Sequence, residues 1–344
     1  MNRQLIKHVL MTLLGVAIFS CLMIRAGLDN FKAAVIHAGI FYIVIIVCIF
    51  SVSQLLRILR WKVLLHPVVA IPFLDVAKIC FASNVANNIL PVKAGDLIRA
   101  LALNRRHGVN MAFGVTSVLF ERIIDGLIIL LLLSVASLYV PVAASYKDTL
   151  HNIFMLSLIF FVGLFGLIIA IKQSPATLLF LSRPVALLPE NMRNKASNVV
   201  AEVQASMMFI RSDILFLLFI VVSILVWVLE GLTFWIGFIA FSVGGSIAKG
   251  FFVYCITNLA GVIPSTPGNV GVYQAAVLLA FYMLSMPLNA CIAFSTTIQF
   301  VQILIASLPG IFTLRLLSVR TVLPLLPENT VTRTMTTVDE TKTL

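Results

Sequence analysis

The chain has 344 residues, of which 61% are hydrophobic and 11% charged, with a mean hydropathy of +1.10. A soluble domain would be about half apolar and about a quarter charged, so this composition excludes an ordinary water-soluble globule and places the chain in lipid. The 24 basic and 13 acidic residues leave a net +11, and most of them fall between apolar runs, which is a topology signal rather than a nucleic-acid-binding surface.

A bilayer core needs about 20 apolar residues per helix. Six runs reach that length, at residues 8–25, 39–56, 112–139, 152–171, 213–242 and 288–314. The first follows a basic start, but no small-residue cleavage site follows it and Phe19 spoils the lipoprotein-like IFSC, so it reads as an uncleaved span. Two further stretches, 74–90 and 249–263, are short, contain asparagine and run into a proline-glycine break. Each is followed by another short helical stretch and is expected to be a re-entrant hairpin that enters and leaves the membrane on one side.

Lysine and arginine orient these elements. Arg3, Lys7, Arg57, Arg60, Lys62, Lys93, Arg99, Arg105 and Arg106 mark one face, joined by the basic linker 172–212 and by Arg315 and Arg320. The opposite loops are poorer in charge. Both termini are therefore expected in the cytoplasm, with the first hairpin opening inward and the second outward. The chain divides into a first membrane repeat, residues 1–140, and a second, residues 141–320, which contains the basic linker 172–212; the threonine-rich tail 321–344 lacks an apolar period and is expected to be disordered. The expected fold is an all-α polytopic membrane protein of about six transmembrane helices and two re-entrant hairpins.

Cys21, Cys48, Cys80, Cys255 and Cys291 lie singly in apolar segments, and the five histidines sit at segment ends without ligand spacing. Neither set suggests a disulfide framework, a metal or a cofactor.

The two break regions align without a gap. ILPVKAGDL, residues 89–97, matches VIPSTPGNV, residues 262–270, pairing Pro91 with Pro264, Gly95 with Gly268 and Asp96 with Asn269. Pro267 and Gly271 add further break residues to the second. The order span, span, hairpin, span also repeats, and the halves start on opposite sides, which makes the repeat an inverted one. Paired broken helices near the bilayer midplane suit a transporter, because unwound backbone offers hydrogen bonds to a polar ligand where lipid offers none. Asp96 and Asn269 are expected to cap the half-helices that follow.

The third run carries LFERIIDGL. Glu121, Arg122 and Asp125 lie about 9–13 residues past its start, roughly 14–20 Å deep at about 1.5 Å per residue. A charge there costs about 2.5–3.5 kcal/mol, so the three should face protein or water. Arg122 and Asp125 at i,i+3 are expected to pair, either as a structural pin or as part of a site, leaving Glu121 the freer group. Glu230 in the fifth span either reaches the interface or belongs to the same site. Asn84, Asn87, Asn88 and Asn258 are hairpin polar residues that bond backbone or substrate. Lys93 and Arg99 at the inner hairpin either touch cargo or snorkel to lipid phosphates.

The pieces RILRWKVLL, NNILPVKAGDLIRALALNRRHGV, SVLFERIIDGL and IPSTPGNVGVYQAA, with a final span ending LPGIF, resemble the transmembrane domain of the lysylphosphatidylglycerol synthase and flippase family over about residues 5–320. The resemblance implies a polytopic inner-membrane protein that moves a polar-headgroup lipid between leaflets. It implies no synthase activity, because the family's soluble aminoacyl-transferase domain has no counterpart here. Two departures stand out: the family often has glutamate where Gln274 stands and an arginine in the last span near Gln299 or Gln302. The missing charges count against a lysyl-lipid cargo.

The leading expectation is a lipid translocator acting on a phospholipid or an isoprenoid-linked lipid. The headgroup phosphate would meet Arg122, Lys93 or Arg99 and the half-helix N-termini, with Asp96, Asn258, Asn269, Gln274 and Gln299 as further contacts. Glu121 and Asp125 would serve a cationic group or a proton. No GxxxxGK[ST] motif is present, so ATP is not the direct drive. Two other classes compete: a membrane-embedded lipid-modifying transferase, which would need a loop with clustered acids or metal ligands, and a non-transporting partner of a lipid-synthesis enzyme docking through the basic linker.

Overall fold

The computed structural model describes residues 36, 38–89, 94–141, 212–261, 267–288 and 290–314, with scattered positions between 146 and 166. The first expected span, nearly all of the linker and the tail lie outside the described residues, as do Pro91, Lys93 and Pro264.

Among the described residues every regular element is helical. In chain order they are α1 (Ile40–Leu65), α2 (Phe73–Ile89), α3 (Gly95–His107), α4 (Met111–Leu138), α5 (Asp213–Ala240), α6 (Ile247–Ala260), a single 3-10 turn (Pro267–Asn269), α7 (Val272–Met283) and α8 (Cys291–Leu314). Each half thus reads long helix, short helix, break, short helix, long helix. Helices α1, α5 and α8 (through Thr313) are long and apolar enough to cross a membrane. Helix α4 matches them in length, and the charges at Glu121, Arg122 and Asp125 set it apart.

Local chemistry sets these boundaries. Asn110 caps α4 by accepting from the Ala112 N–H at 2.9 Å, just after Gly108 ends α3 with a left-handed φ of 65°. Ser212 and Ser246 cap α5 and α6. The expected caps are not the caps: Ala94 precedes α3 and Asp96 lies inside its first turn. Helix α7 starts after Gly271, with Asn269 in the preceding turn. Helix α1 also continues past the apolar run that ends at residue 56, so Arg57 and Arg60 lie on a helix rather than in a loop.

Helices α1 and α5 run antiparallel along their whole contact. Gly39 donates its N–H to the Ala240 carbonyl at 3.0 Å at one end, Ser53 and Arg57 meet Glu230 in the middle, and Arg60 reaches Ser223 further on. The remaining packing repeats when the halves are exchanged. Helix α2 packs on α8 as α6 packs on α4, α2 on α3 as α6 on α7, α3 on α4 as α7 on α8, and α1 on α2 as α5 on α6. The 3-10 turn of the second half also rests on α2.

The long helices turn apolar side chains outward: Val44, Val47, Val52 and Leu55 on α1, Leu119 and Ile123 on α4, and Phe300, Leu304 and Phe312 on α8 are all exposed. On α1 and α4, Arg57, Arg60, Glu121, Arg122 and Asp125 instead turn toward the space between the halves. This reversal of the water-soluble pattern is what a lipid surround selects. Behind it the second half packs an aromatic core in which Phe294 lies 5.3–5.8 Å, centroid to centroid, from Phe234, Phe238 and Phe281.

Candidate functional site

A cavity of about 280 Å³ opens between the two halves, lined from α1, α2, α3, α4, α5, α6 and α8. Its walls carry four arginines, Arg57, Arg60, Arg99 and Arg122, and four carboxylates, Asp96, Glu121, Asp125 and Glu230. Formal charge therefore cancels.

The centre of the network is Arg60, 2% exposed. Its Nη1 and Nη2 donate to Asp125 at 2.5 and 3.1 Å, and its Nε donates to Glu121 at 3.1 Å. Asp125 also accepts from the indole N–H of Trp227 at 2.7 Å, tying α4 to α5. Glu121 receives a second arginine, Arg99, at 2.7 Å. The Arg99 guanidinium stacks over the Trp61 ring, 3.8 Å from its centroid. Nearby, Arg122 forks onto Asp96 at 2.9 and 3.0 Å, and Asn87 donates to Asp96 at 3.0 Å.

Glu230 anchors the other side. It accepts from Arg57 through two 2.9 Å bonds, from Ser53 at 2.5 Å and from the Tyr254 hydroxyl at 2.9 Å. With only 4% of its surface exposed it belongs to the site and does not reach an interface.

Three expectations are corrected here. Arg122 and Asp125 do not pair with each other, because Asp96 on α3 and Arg60 on α1 offer each a two-toothed partner that a neighbour one turn away cannot match. Glu121 is not the freer group, since both its oxygens accept from arginine. Arg57 and Arg60 are cavity residues, with Arg60 buried, rather than face markers alone.

Asp96, Arg99, Glu121, Arg122, Asp125 and Asn258 all line the cavity. Asn258 donates to the Tyr254 carbonyl at 2.9 Å. Asn269, Gln274 and Gln299 do not line it. Instead Gln274 accepts from the Gly271 N–H at 2.8 Å and donates to Gln299 at 2.6 Å, and Gln299 donates to the Gly268 carbonyl at 2.8 Å. These amides clasp the second break, where Gly268 and Gly271 hold φ of 66° and 87°.

Gly95 serves the first break by close approach. A Cβ there would sit 2.7 Å from the backbone nitrogen of Asn87 and closer still to the Ser83 carbonyl. Ser83 donates to the Gly95 carbonyl at 2.8 Å, so α2 and α3 are seated backbone to backbone. Among the described residues no group of three or more His, Cys, Asp or Glu converges as a metal site.

Ser53, Trp61, Trp227 and Tyr254 also belong to the network and Gln54 to the cavity wall, none of them singled out by the sequence reading. The signal for the first of these was present: Ser53, Gln54, Arg57 and Arg60 recur at helical spacing and form one polar stripe on α1.

The family described as lysylphosphatidylglycerol synthase TM region matches residues 12–310. The chain belongs to that family. It is 21% identical over 327 residues to a UPF0104 membrane protein of Methanocaldococcus jannaschii, covering 90% of this chain and 95% of the relative. A second UPF0104 membrane protein of that organism is 25% identical over 197 residues, 56% of this chain and 76% of the relative. One from Methanothermobacter thermautotrophicus is 24% identical over 217 residues, 59% of this chain and 62% of the relative. No solved structure matches the chain. Gln274 and Gln299 meet as a neutral amide pair, and Gln302 accepts from the Tyr273 hydroxyl at 3.2 Å.

Proposed function

We propose that this membrane protein moves a polar-headgroup lipid, a phospholipid or an isoprenoid-linked lipid, between the leaflets of the bacterial inner membrane without direct use of ATP. The observation that carries the proposal is the cavity. Four arginines and four carboxylates line a space between helices whose outer surfaces are apolar, so a headgroup could be held there while acyl chains stay in lipid.

The packing supports an inverted repeat. Helices α1 and α5 hold equivalent places in the two halves and run antiparallel, so an axis that exchanges them lies across the helices, in the plane of the membrane if they span it. Each half then contributes one broken hairpin, and the basic loops favour cytoplasmic termini. The ionisable groups have a binding role in this reading and no catalytic one: each carboxylate is held by at least one arginine.

The test is reconstitution of the purified chain in liposomes with leaflet-sensitive lipid reporters. Exchange is expected to run at least about tenfold faster than in protein-free vesicles, a barrier lower by about 1.4 kcal/mol. No acceleration across a panel of anionic, zwitterionic, cationic and isoprenoid lipids, by folded protein, would sink the proposal and favour a regulatory partner of a lipid-synthesis enzyme.

A further inference from the structure

We infer that the cavity selects an anionic, phosphate-bearing headgroup and rejects a cationic one. The inference deepens the translocation proposal, since it takes the cavity as the headgroup site, but it rests on which polar atoms of the cavity are already engaged.

All of the negative groups are engaged. Both oxygens of Asp96, of Glu121, of Asp125 and of Glu230 accept hydrogen bonds from the protein. An ammonium group entering the cavity would therefore have to displace an arginine that already holds its carboxylate, often by a fork. Such an exchange gives up a bidentate contact for a point charge.

The positive groups keep capacity. Arg57 and Arg122 each grip a carboxylate through Nε and Nη2, which leaves Nη1 without a partner among the described residues, and their side chains are 25% and 45% exposed. Arg99 engages Glu121 through Nη1 alone. Its Nε is buried with no hydrogen-bond partner among the described residues. A buried guanidinium N–H left unmade is costly, and a phosphate oxygen is the acceptor that matches its geometry.

A second orphan points the same way. Asn87 must donate through Nδ2 to the Asp96 carboxylate, so its Oδ1 is an acceptor, and that atom is buried and unpartnered among the described residues. It would take a hydroxyl, as on glycerol or a sugar. The cavity's volume of about 280 Å³ is nearly twice the roughly 150 Å³ of a cavity that admits benzene, room for a phosphodiester with a small hydroxylated substituent.

Lipid titrations of the full chain in detergent, followed by thermal shift, test the inference. The probes are phosphatidylglycerol, phosphatidylcholine, lysylphosphatidylglycerol, soluble glycerol phosphate and inorganic phosphate. Phosphatidylglycerol is expected to saturate at a concentration at least about tenfold below the zwitterionic and cationic lipids, the scale of one charge-assisted hydrogen bond. Arg99→Lys, which keeps a charge opposite Glu121 but loses the fork, is expected to erase most of that preference. Asn87→Ala, which removes the hydroxyl acceptor, is expected to weaken phosphatidylglycerol binding several-fold and supplies the test if the lysine variant does not fold.

Equal or tighter binding of phosphatidylcholine or lysylphosphatidylglycerol overturns the inference. So does unchanged selectivity in both variants. Inorganic phosphate or glycerol phosphate saturating as readily as the lipid overturns the lipid source and assigns the same chemistry to a soluble anion. Anionic selectivity without lipid exchange in vesicles would sink the translocation proposal and leave this inference standing, whereas exchange of cationic lipids alone would do the reverse.

Discussion

Asp125→Ala is expected to cost about 3–5 kcal/mol of stability, the largest effect of any single substitution at the site. The carboxylate is 4% exposed and takes two bonds from Arg60 and one from the Trp227 indole. Its removal leaves Arg60, 2% exposed, with Glu121 as its remaining carboxylate and strands the indole N–H. Against a typical total of about 5–15 kcal/mol, that loss is expected to lower the melting temperature in detergent by well over about 5 °C and reduce the yield of monodisperse protein. The double variant Arg60→Met, Asp125→Leu removes both charges and is expected to melt above the single one, because an apolar pair leaves no unpartnered ion. An Asp125→Ala protein that melts like the parent would show that Arg60 does not depend on this carboxylate.

Gly95→Ala follows from the seating of α3 on α2. The added methyl would meet the Ser83 carbonyl and the Asn87 backbone, neither of which can swing aside as a side-chain tip could. Overpacking costs about 1–3 kcal/mol where side chains can adjust, and a backbone clash belongs at or above the top of that range. Displacing α3 also moves Asp96 and Arg99 away from Arg122 and Glu121. Gly126→Ala is the matched control. It lies on α4, a Cβ there would meet nothing within 4 Å, and its helix propensity rises by about 1 kcal/mol, so its melting temperature should hold or increase. Equal melting of the two variants would refute the close approach.

The long helices were legible because a bilayer imposes length. The runs at 112–139 and 213–242 became Met111–Leu138 and Asp213–Ala240, within a residue or two at each end. The breaks were legible as well: α2 ends at Ile89 before α3 starts at Gly95, and the second break passes through the Pro267–Asn269 turn, where Gly268 takes a left-handed φ. Pairings were not. The expected Arg122–Asp125 contact followed the rule for neighbours on one helix, and that rule is silent about Asp96 and Arg60, which arrive from α3 and α1. Arg57 and Arg60 were weighed as topology charges because they follow an apolar run, although their spacing with Ser53 and Gln54 already marked a polar stripe. Gln274 and Gln299 were expected to meet substrate, and their backbone partners at Gly268 and Gly271 depend on a turn whose shape no local pattern specifies.

The ion pairs sort unevenly between the halves. Arg60, Arg99 and Arg122 bond Glu121, Asp125 and Asp96 entirely within the first half. Among the described residues, Arg57–Glu230 is the ion pair that joins one half to the other. The Trp227–Asp125, Ser53–Glu230, Arg60–Ser223 and Asn88–Ser307 hydrogen bonds and the Gly39–Ala240 backbone bond assist it. Electrostatically the first half is a welded frame, joined to the second by one ion pair and by the packing of α1 on α5, α2 on α8 and α4 on α6. A rocking motion between them would carry the frame whole and break one ion pair, so the threshold for motion is set by that pair together with the helix packing between the halves.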